Sequence, residues 1–377
     1  MDTSTKNEIG LAAQNFQENC DKLPQTNVIV GFDGFIDVII HPVATREDKN
    51  NYERIETITE FSERIASAAG KSANIEFVPL IEKIGGNGPL MAMAMYNAGC
   101  GVTNIGLLGY PDILPVFKPM AEKCKLISVG NPGHTDAVEF QDGKLMLGKL
   151  EPLKDMCMDN LIRAFGEENF IRTLSSANLV ACTNWTMLTE MEGILSFIIE
   201  KLPQGNNCRF FFDLADPEKR TEHDKKHLLN QLAELNKKAG CILGLNLREA
   251  EQISELLDIT VMPENSPEGL KASASLLKDK LGLYGVVIHA LACAGAAIGK
   301  EEAGIPGPYC ANPKLTTGGG DHFNGGFCSG LLAGLSIQDS LYTAVATSGW
   351  YVRNKKSPQA SDITGLLHDW KNGNLTD

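Results

Sequence analysis

The run Thr316-Thr317-Gly318-Gly319-Gly320-Asp321-His322-Phe323-Asn324-Gly325-Gly326 decides how the rest of this chain is read. Three consecutive glycines leave backbone N–H groups free to converge on an anion, and a carboxylate follows at once. A helix predicted to open near Asp321 turns its positive end toward whatever binds there. Glycine costs about 1 kcal/mol relative to alanine inside a regular element, so three together imply that something approaches the backbone closely. An anion cradle beside an aspartate is what transfer of a phosphoryl group to a hydroxyl needs. Asp321 would orient and deprotonate the acceptor, and the amides of Gly318, Gly319 and Gly320 would stabilise charge on the group in transit. The competing reading is a tight strand-to-helix turn with a capping aspartate. The first reading points to a small-molecule kinase.

Upstream of this run, apolar β-rich segments alternate with helical patterns. Strands are predicted at Val28–Val30, Ile36–Ile40, Ile81–Ile84, Val102–Leu108, Leu179–Cys182, Arg209–Leu214, Cys241–Leu245 and Val286–Ala290. Helices fit Ile55–Ala69, Pro89–Asn97, Met187–Leu202, Glu218–Ala239 and Leu270–Leu281. Buried strands between helices imply a mostly parallel sheet covered on both faces, with function at the carboxyl ends of its strands. His134 to Gly148 departs from this rhythm: alternation around Asp142-Gly143 reads as a hairpin. With Val38 to Tyr52 it would form a small sheet lying as a lid over the active end. The expectation is one domain over 1–377, with lid segments at about 38–55 and 132–150 inserted in it.

Composition bounds the alternatives. A chain of 377 residues with 21% charged and 43% hydrophobic residues is a folded globular protein and too apolar for disorder. With 34 basic against 47 acidic side chains and a net charge of -13, broad nucleic-acid binding is excluded. Met1 to Asp21 is polar and acidic, and no stretch reaches the roughly 18 apolar residues of a membrane span, so a cytoplasmic location with no membrane partner is expected. The ten cysteines form no CxxC pair and read as reduced core residues.

Further candidates sit at the predicted strand ends. Gly31-Phe32-Asp33-Gly34-Phe35-Ile36-Asp37 places two carboxylates after an apolar strand. Asp33 and Asp37 could accept hydrogen bonds from paired sugar hydroxyls, or serve as turn residues. Gly85-Gly86-Asn87-Gly88 could supply backbone donors and one amide at the substrate's other edge, and Asn184 could touch the acceptor. Asn246 and Glu249 share one helical face after the strand Cys241–Leu245. They could hold water around Mg²⁺, or simply cap a helix. Asp213 and Asp216 divide equally between capping and ion support. Trp185 is as well explained by the core, Arg46 by a solvated lid face, and lone histidines such as His289 and His322 carry little by themselves. Gly70-Lys71-Ser72 lacks the leading glycine of a P-loop, and GxGxxG, GxSxG and HExxH are absent.

In these features the chain resembles the ribokinase-like (PfkB) family of carbohydrate and nucleoside kinases. The similarity runs in order over nearly the whole chain, from Ile36-Asp37 and Gly85-Gly86 through the hairpin and Asn246-x-x-Glu249 to Thr317-Gly318-Gly319-Gly320-Asp321. The resemblance implies a three-layer α/β/α sandwich with a small β-sheet lid, and ATP-dependent phosphorylation of a hydroxymethyl group. It makes Asp321 the base, Gly318 to Gly320 the phosphate cradle, Asp37 a ligand of substrate hydroxyls, and Asn246 and Glu249 the support of Mg²⁺ and phosphate. It puts adenine beyond His289 to Ala297 and near Val345 to Trp350, and is compatible with a monovalent cation such as K⁺ and with a homodimer. Two departures matter. Leu90 stands in the region where sugar kinases commonly carry an asparagine, with Asn87 directly after the glycine pair instead. Gly319 replaces the alanine of the usual Gly-Ala-Gly. The acceptor therefore stays open between a sugar and a nucleoside. ADP as donor, and a catalytically silent binding protein, are the remaining alternatives.

Overall fold

The computed structural model describes residues 1–259 and 263–376. Its centre is a nine-stranded sheet. From one edge the order is Glu301–Pro306, Cys293–Ile298, Gly285–His289, Gly240–Asn246, Arg209–Asp213, Leu179–Cys182, Asn27–Gly31, Gly101–Gly106 and Lys125–Ser128. The seven strands from Gly285–His289 to Lys125–Ser128 run parallel, and the hairpin Cys293–Pro306 adds two antiparallel strands at one edge.

Side-chain alternation explains the layers. Phe210 and Phe212 enter one core with Val180, Leu243 and Val286, while Phe211 between them enters the other with Ala181, Ile242 and Val287. Helices including Met191–Lys201, Glu222–Asn236 and Pro267–Leu281 cover the first face. Thr3–Asn19, Asn87–Ala98, Gly319–Ala333, Ile337–Asn354 and Ala360–Asn372 cover the second. This is the expected three-layer α/β/α arrangement, with several helices beyond the sequence reading, among them Thr3–Asn19, Ile337–Asn354 and Ala360–Asn372.

A second, five-stranded sheet contains Phe35–Arg46, Tyr52–Arg54, Phe77–Gly85, Gly133–Glu139 and Lys144–Lys149. The hairpin lies where it was expected, with Val138 opposite Leu145. The lid boundaries need one correction, because Phe77–Gly85 also belongs to this sheet, antiparallel to Phe35–Arg46, and not to the central one. The predicted helix 55–69 is confined to Ile58–Ala66, with Ile55 in the lid's own core beside Ile40, Phe61, Val138 and Phe140. Among the described residues no helix is long and apolar enough to cross a membrane.

Candidate active site

Parallel strands bring their carboxyl ends to one side of the sheet, and the candidate residues gather there. Five adjacent strands contribute: Gly285–His289 ends on His289, Gly240–Asn246 on Asn246, and Arg209–Asp213 on Asp213. Leu179–Cys182 leads into Thr183 and Asn184, and Asn27–Gly31 into Asp33. The helix Gly319–Ala333 starts above them, capped by Gly318 in the left-handed region at φ 92°. Asp321 in its first turn is buried and accepts a hydrogen bond from Asn87 Nδ2 at 2.9 Å.

Two cavities meet at the glycine turn. One, of about 310 Å³, is lined by Asn87, Asp213, Glu249, Gly318, Asp321 and Asn324 among others. The second, of about 410 Å³, carries Leu291, Pro308, Tyr309, Val345, Gly349 and Val352. Both sizes suit small-molecule sites. Asn246, His289 and Gly320 line both. The second cavity therefore lies where the resemblance put the adenine, near His289 to Ala297 and Val345 to Trp350, with Pro308 to Cys310 as a wall that sequence reading missed.

The electrostatics follow from burial. Desolvation, reinforced by the carboxylates of Asp213 and Asp33, pushes the Asp321 carboxyl well above the usual range, while the Asn87 donor works against the rise. Asp213 is pushed up by burial and by Glu249. Its oxygens accept from Ala215 N at 2.9 Å and Asn324 Nδ2 at 2.7 Å. His289 packs against Phe323, with centroids 4.6 Å apart, and burial lowers it to about 4.

Asn246 and Glu249 bear out the capping reading, and they also lie on the cavity wall. They form a reciprocal capping box, Glu249 N donating to Asn246 Oδ1 at 2.9 Å and Asn246 N to Glu249 Oε2 at 2.8 Å, and they line the cavity. Glu249 Oε1 also accepts from Asp216 N at 2.9 Å. Among the described residues no three His, Cys, Asp or Glu side chains could hold a metal ion between them. A hydrated Mg²⁺ therefore fits this donor set better than a stripped one.

Asp37 and Gly85 come together on the lid side. Asp37 is opposite Lys83 and Thr135 in the sheet, and a Cβ at residue 85 would stand 2.5 Å from Asp37 Oδ1. Burial raises the Asp37 carboxyl, with Lys83 opposing the rise. Gly86 caps the helix Asn87–Ala98. Asp33 and Asn184 are placed differently from the expectation. Asp33 is 0% exposed and its carboxylate is occupied by protein donors, among them Asn184 Nδ2 at 2.8 Å, and Asn184 is itself buried. Neither offers a surface to an acceptor. Trp185 is core, Arg46 pairs with Glu76 on the lid, and His322 stacks on Tyr351 at 3.6 Å. Asn324, which holds Asp213, went unread because glycines on both sides of it masked the helix face it occupies.

Solved structures share this architecture. Arabidopsis thaliana ribokinase, complexed with ribose and ATP, aligns with a TM-score of 0.62 and 17% identity, covering 90% of this chain and 97% of that one. Escherichia coli phosphofructokinase-2, in complex with substrates and products, gives 0.62 and 12%, covering 91% and 98%. The fold is thus that of the ribokinase-like sugar and nucleoside kinases. The ketohexokinase of Haloferax volcanii is 27% identical over 361 residues, 93% of this chain and 94% of its own length. A model of the family described as prokaryotic ketohexokinase matches residues 1–370, and the chain belongs to that family. It is a carbohydrate kinase.

Proposed function

We propose that the chain transfers the γ-phosphoryl group of ATP to a primary hydroxyl of a ketohexose, with Asp321 as general base. The observation that carries this reading is the position of Asp321. It lies in the smaller cavity, at the positive end of the Gly319–Ala333 helix, beside the glycine turn that both cavities share. The acceptor brings its reacting hydroxyl to Asp321 in the smaller cavity, and its other hydroxyls extend toward the lid strand Phe35–Arg46, where Asp37, outside the lining of that cavity, accepts hydrogen bonds from them. The larger, more apolar cavity takes the nucleoside part of the donor. Asp321 takes the hydroxyl proton as the new oxygen–phosphorus bond forms and the bond to the departing nucleotide breaks. The amides of Gly319 and Gly320 stabilise the negative charge that spreads over the moving group. Asn246 and Glu249 are the residues that would hold Mg²⁺ through water, and the ion would supply neutralisation of phosphate charge.

A base needs proton affinity, and the raised Asp321 carboxyl provides it. Only its deprotonated form works, so kcat/KM rises with pH along a limb lying above the ordinary carboxylate range. The test is a coupled assay of ADP release with MgATP over ketohexoses, aldohexoses and nucleosides. Ketohexose-stimulated release that drops about 10²–10⁴-fold in Asp321→Asn is the expected result. A preference for nucleosides, or an Asp321→Asn enzyme that keeps its rate, defeats the reading.

A further inference from the structure

Asp33 is buried beside the site without facing either cavity, yet four protein groups from two other segments converge on it. Asn87 N donates to Oδ2 at 2.9 Å and Gly88 N to Oδ1 at 2.7 Å. Asn184 Nδ2 donates to Oδ2 at 2.8 Å and Thr183 Oγ1 to Oδ1 at 3.4 Å. The two backbone donors open the helix Asn87–Ala98, whose cap residue Gly86 has no side chain with which to accept them. Asp33 supplies that missing acceptor from 54 residues away, and its negative charge suits a helix start. Asn87, fixed in this way through its backbone, sends its side-chain amide to Asp321 Oδ1 at 2.9 Å.

We propose that Asp33 is a positioning residue: it anchors the start of the Asn87–Ala98 helix so that the Asn87 amide holds the Asp321 carboxylate in one orientation for proton transfer. This rests on the general-base reading of Asp321 and assigns Asp33 a role other than binding substrate. Its charge has a second consequence. Asp321 faces Asp213, Asp216, Glu249 and His289 across the smaller cavity, Tyr351 from the helix Ile337–Asn354, and Asp33 from behind Asn87. Of the carboxylates, Asp213 and Asp33 raise its proton affinity, while the Asn87 donor lowers it. Removing Asp33's charge and removing Asn87's amide therefore act on Asp321 in opposite directions.

The experiment compares steady-state pH profiles of the full-length enzyme and its Asp33→Asn and Asn87→Ala variants with MgATP and a ketohexose. Expected is a kcat loss of about 10- to 100-fold in both, because misplacing a catalytic group by about an ångström costs that much. In Asp33→Asn both KM values stay within about threefold. The acidic limb moves to higher pH in Asn87→Ala and lies at lower pH in Asp33→Asn than in Asn87→Ala, because there the lost Asp33 charge offsets the loosened Asn87 amide. A ketohexose KM that rises in Asp33→Asn with kcat intact overturns the proposal in favour of direct substrate contact. Rate losses with neither limb displaced overturn it in favour of packing alone. If Asp33→Asn does not fold, Asn184→Ala removes one of Asp33's donors. A lowered kcat at constant KM then supports the proposal, and an unchanged kcat overturns it. Asp321→Asn separates the two levels. An active Asp321→Asn enzyme removes the general base and this inference together, whereas an inactive one with unmoved limbs in the other variants removes only the inference.

Discussion

A single methyl group at Gly318 would be felt throughout the phosphate cradle. The residue sits at φ 92°, and a Cβ there would lie 2.8 Å from Tyr351 Oη and 3.0 Å from Leu90 Cδ1. Left-handed backbone costs a side-chain-bearing residue roughly 1–2 kcal/mol before any collision is counted. Tyr351 Oη donates to Thr317 O at 3.0 Å, so displacing it also frees the residue that leads into the turn. Gly318→Ala is expected to lower kcat by about tenfold or more, since the donors at 319 and 320 move off their target. Gly320→Ala meets His289 only at 3.6 Å and should fold with less loss of stability. Thermal unfolding and steady-state rates of the two variants check this, and equal effects would count against it. The glycine run was legible because its chemistry is contiguous. Asp33 was not, because its donors lie 54 to 151 residues away and two of them are backbone amides, which carry no residue-type signal.

At the scale of elements, the central sheet was readable from its apolar runs and the lid only in part. The strand Phe77–Gly85 carries exposed Leu80 and Ile81 at a break in its register opposite Ile39 and Ile40, so its alternation is interrupted and its pattern points to neither sheet. The helix Thr3–Asn19 did carry a signal, since Ile9, Ala12, Ala13 and Phe16 recur at helical spacing. The polarity of the segment, read for targeting, concealed it. Within the lid, the helix Ile58–Ala66 presses Phe61 against Phe140, with ring centroids 5.4 Å apart, and forms a small core with Ile40, Ile55 and Val138. That core stiffens the strand bearing Asp37. Phe61→Ala should cost about 3–5 kcal/mol of local packing and loosen the lid while leaving the central sheet intact. The expected consequences are a ketohexose KM raised severalfold, more ATP hydrolysis without sugar, and faster amide exchange over 35–46. Unchanged exchange in that strand, with a uniform drop in stability instead, would mean that lid and body unfold as one unit.

At the scale of the whole molecule, gathering the strand ends at one face buries ionisable groups, and this makes stability depend on pH in two opposing senses. His289 and His322 are both lowered by burial from 6.5 to about 4. His322 Nδ1 lies 2.7 Å from Gly318 O and Nε2 2.8 Å from Ser357 Oγ, a geometry that a neutral ring fulfils with Nδ1 donating and Nε2 accepting. The unfolded chain takes up protons at these rings as pH falls through 6.5, and the folded chain does so only near 4. Each histidine therefore withdraws stability on acidification, about 2 kcal/mol by pH 5. The raised carboxyls of Asp33 and Asp321 act the other way, because the folded state binds their protons at higher pH than the unfolded chain does. The net slope of the wild type thus mixes two signs, and the informative quantity is a difference between proteins. In urea unfolding, His322→Gln is expected to be less stable than wild type at pH 7, having lost the ring's stacking on Tyr351. That gap should narrow by about 2 kcal/mol between pH 7 and pH 5, since only the wild type retains the ring that resists protonation. A gap that stays constant over this range would mean that residue 322 titrates normally in the folded protein, and that the start of the Gly319–Ala333 helix is open to water.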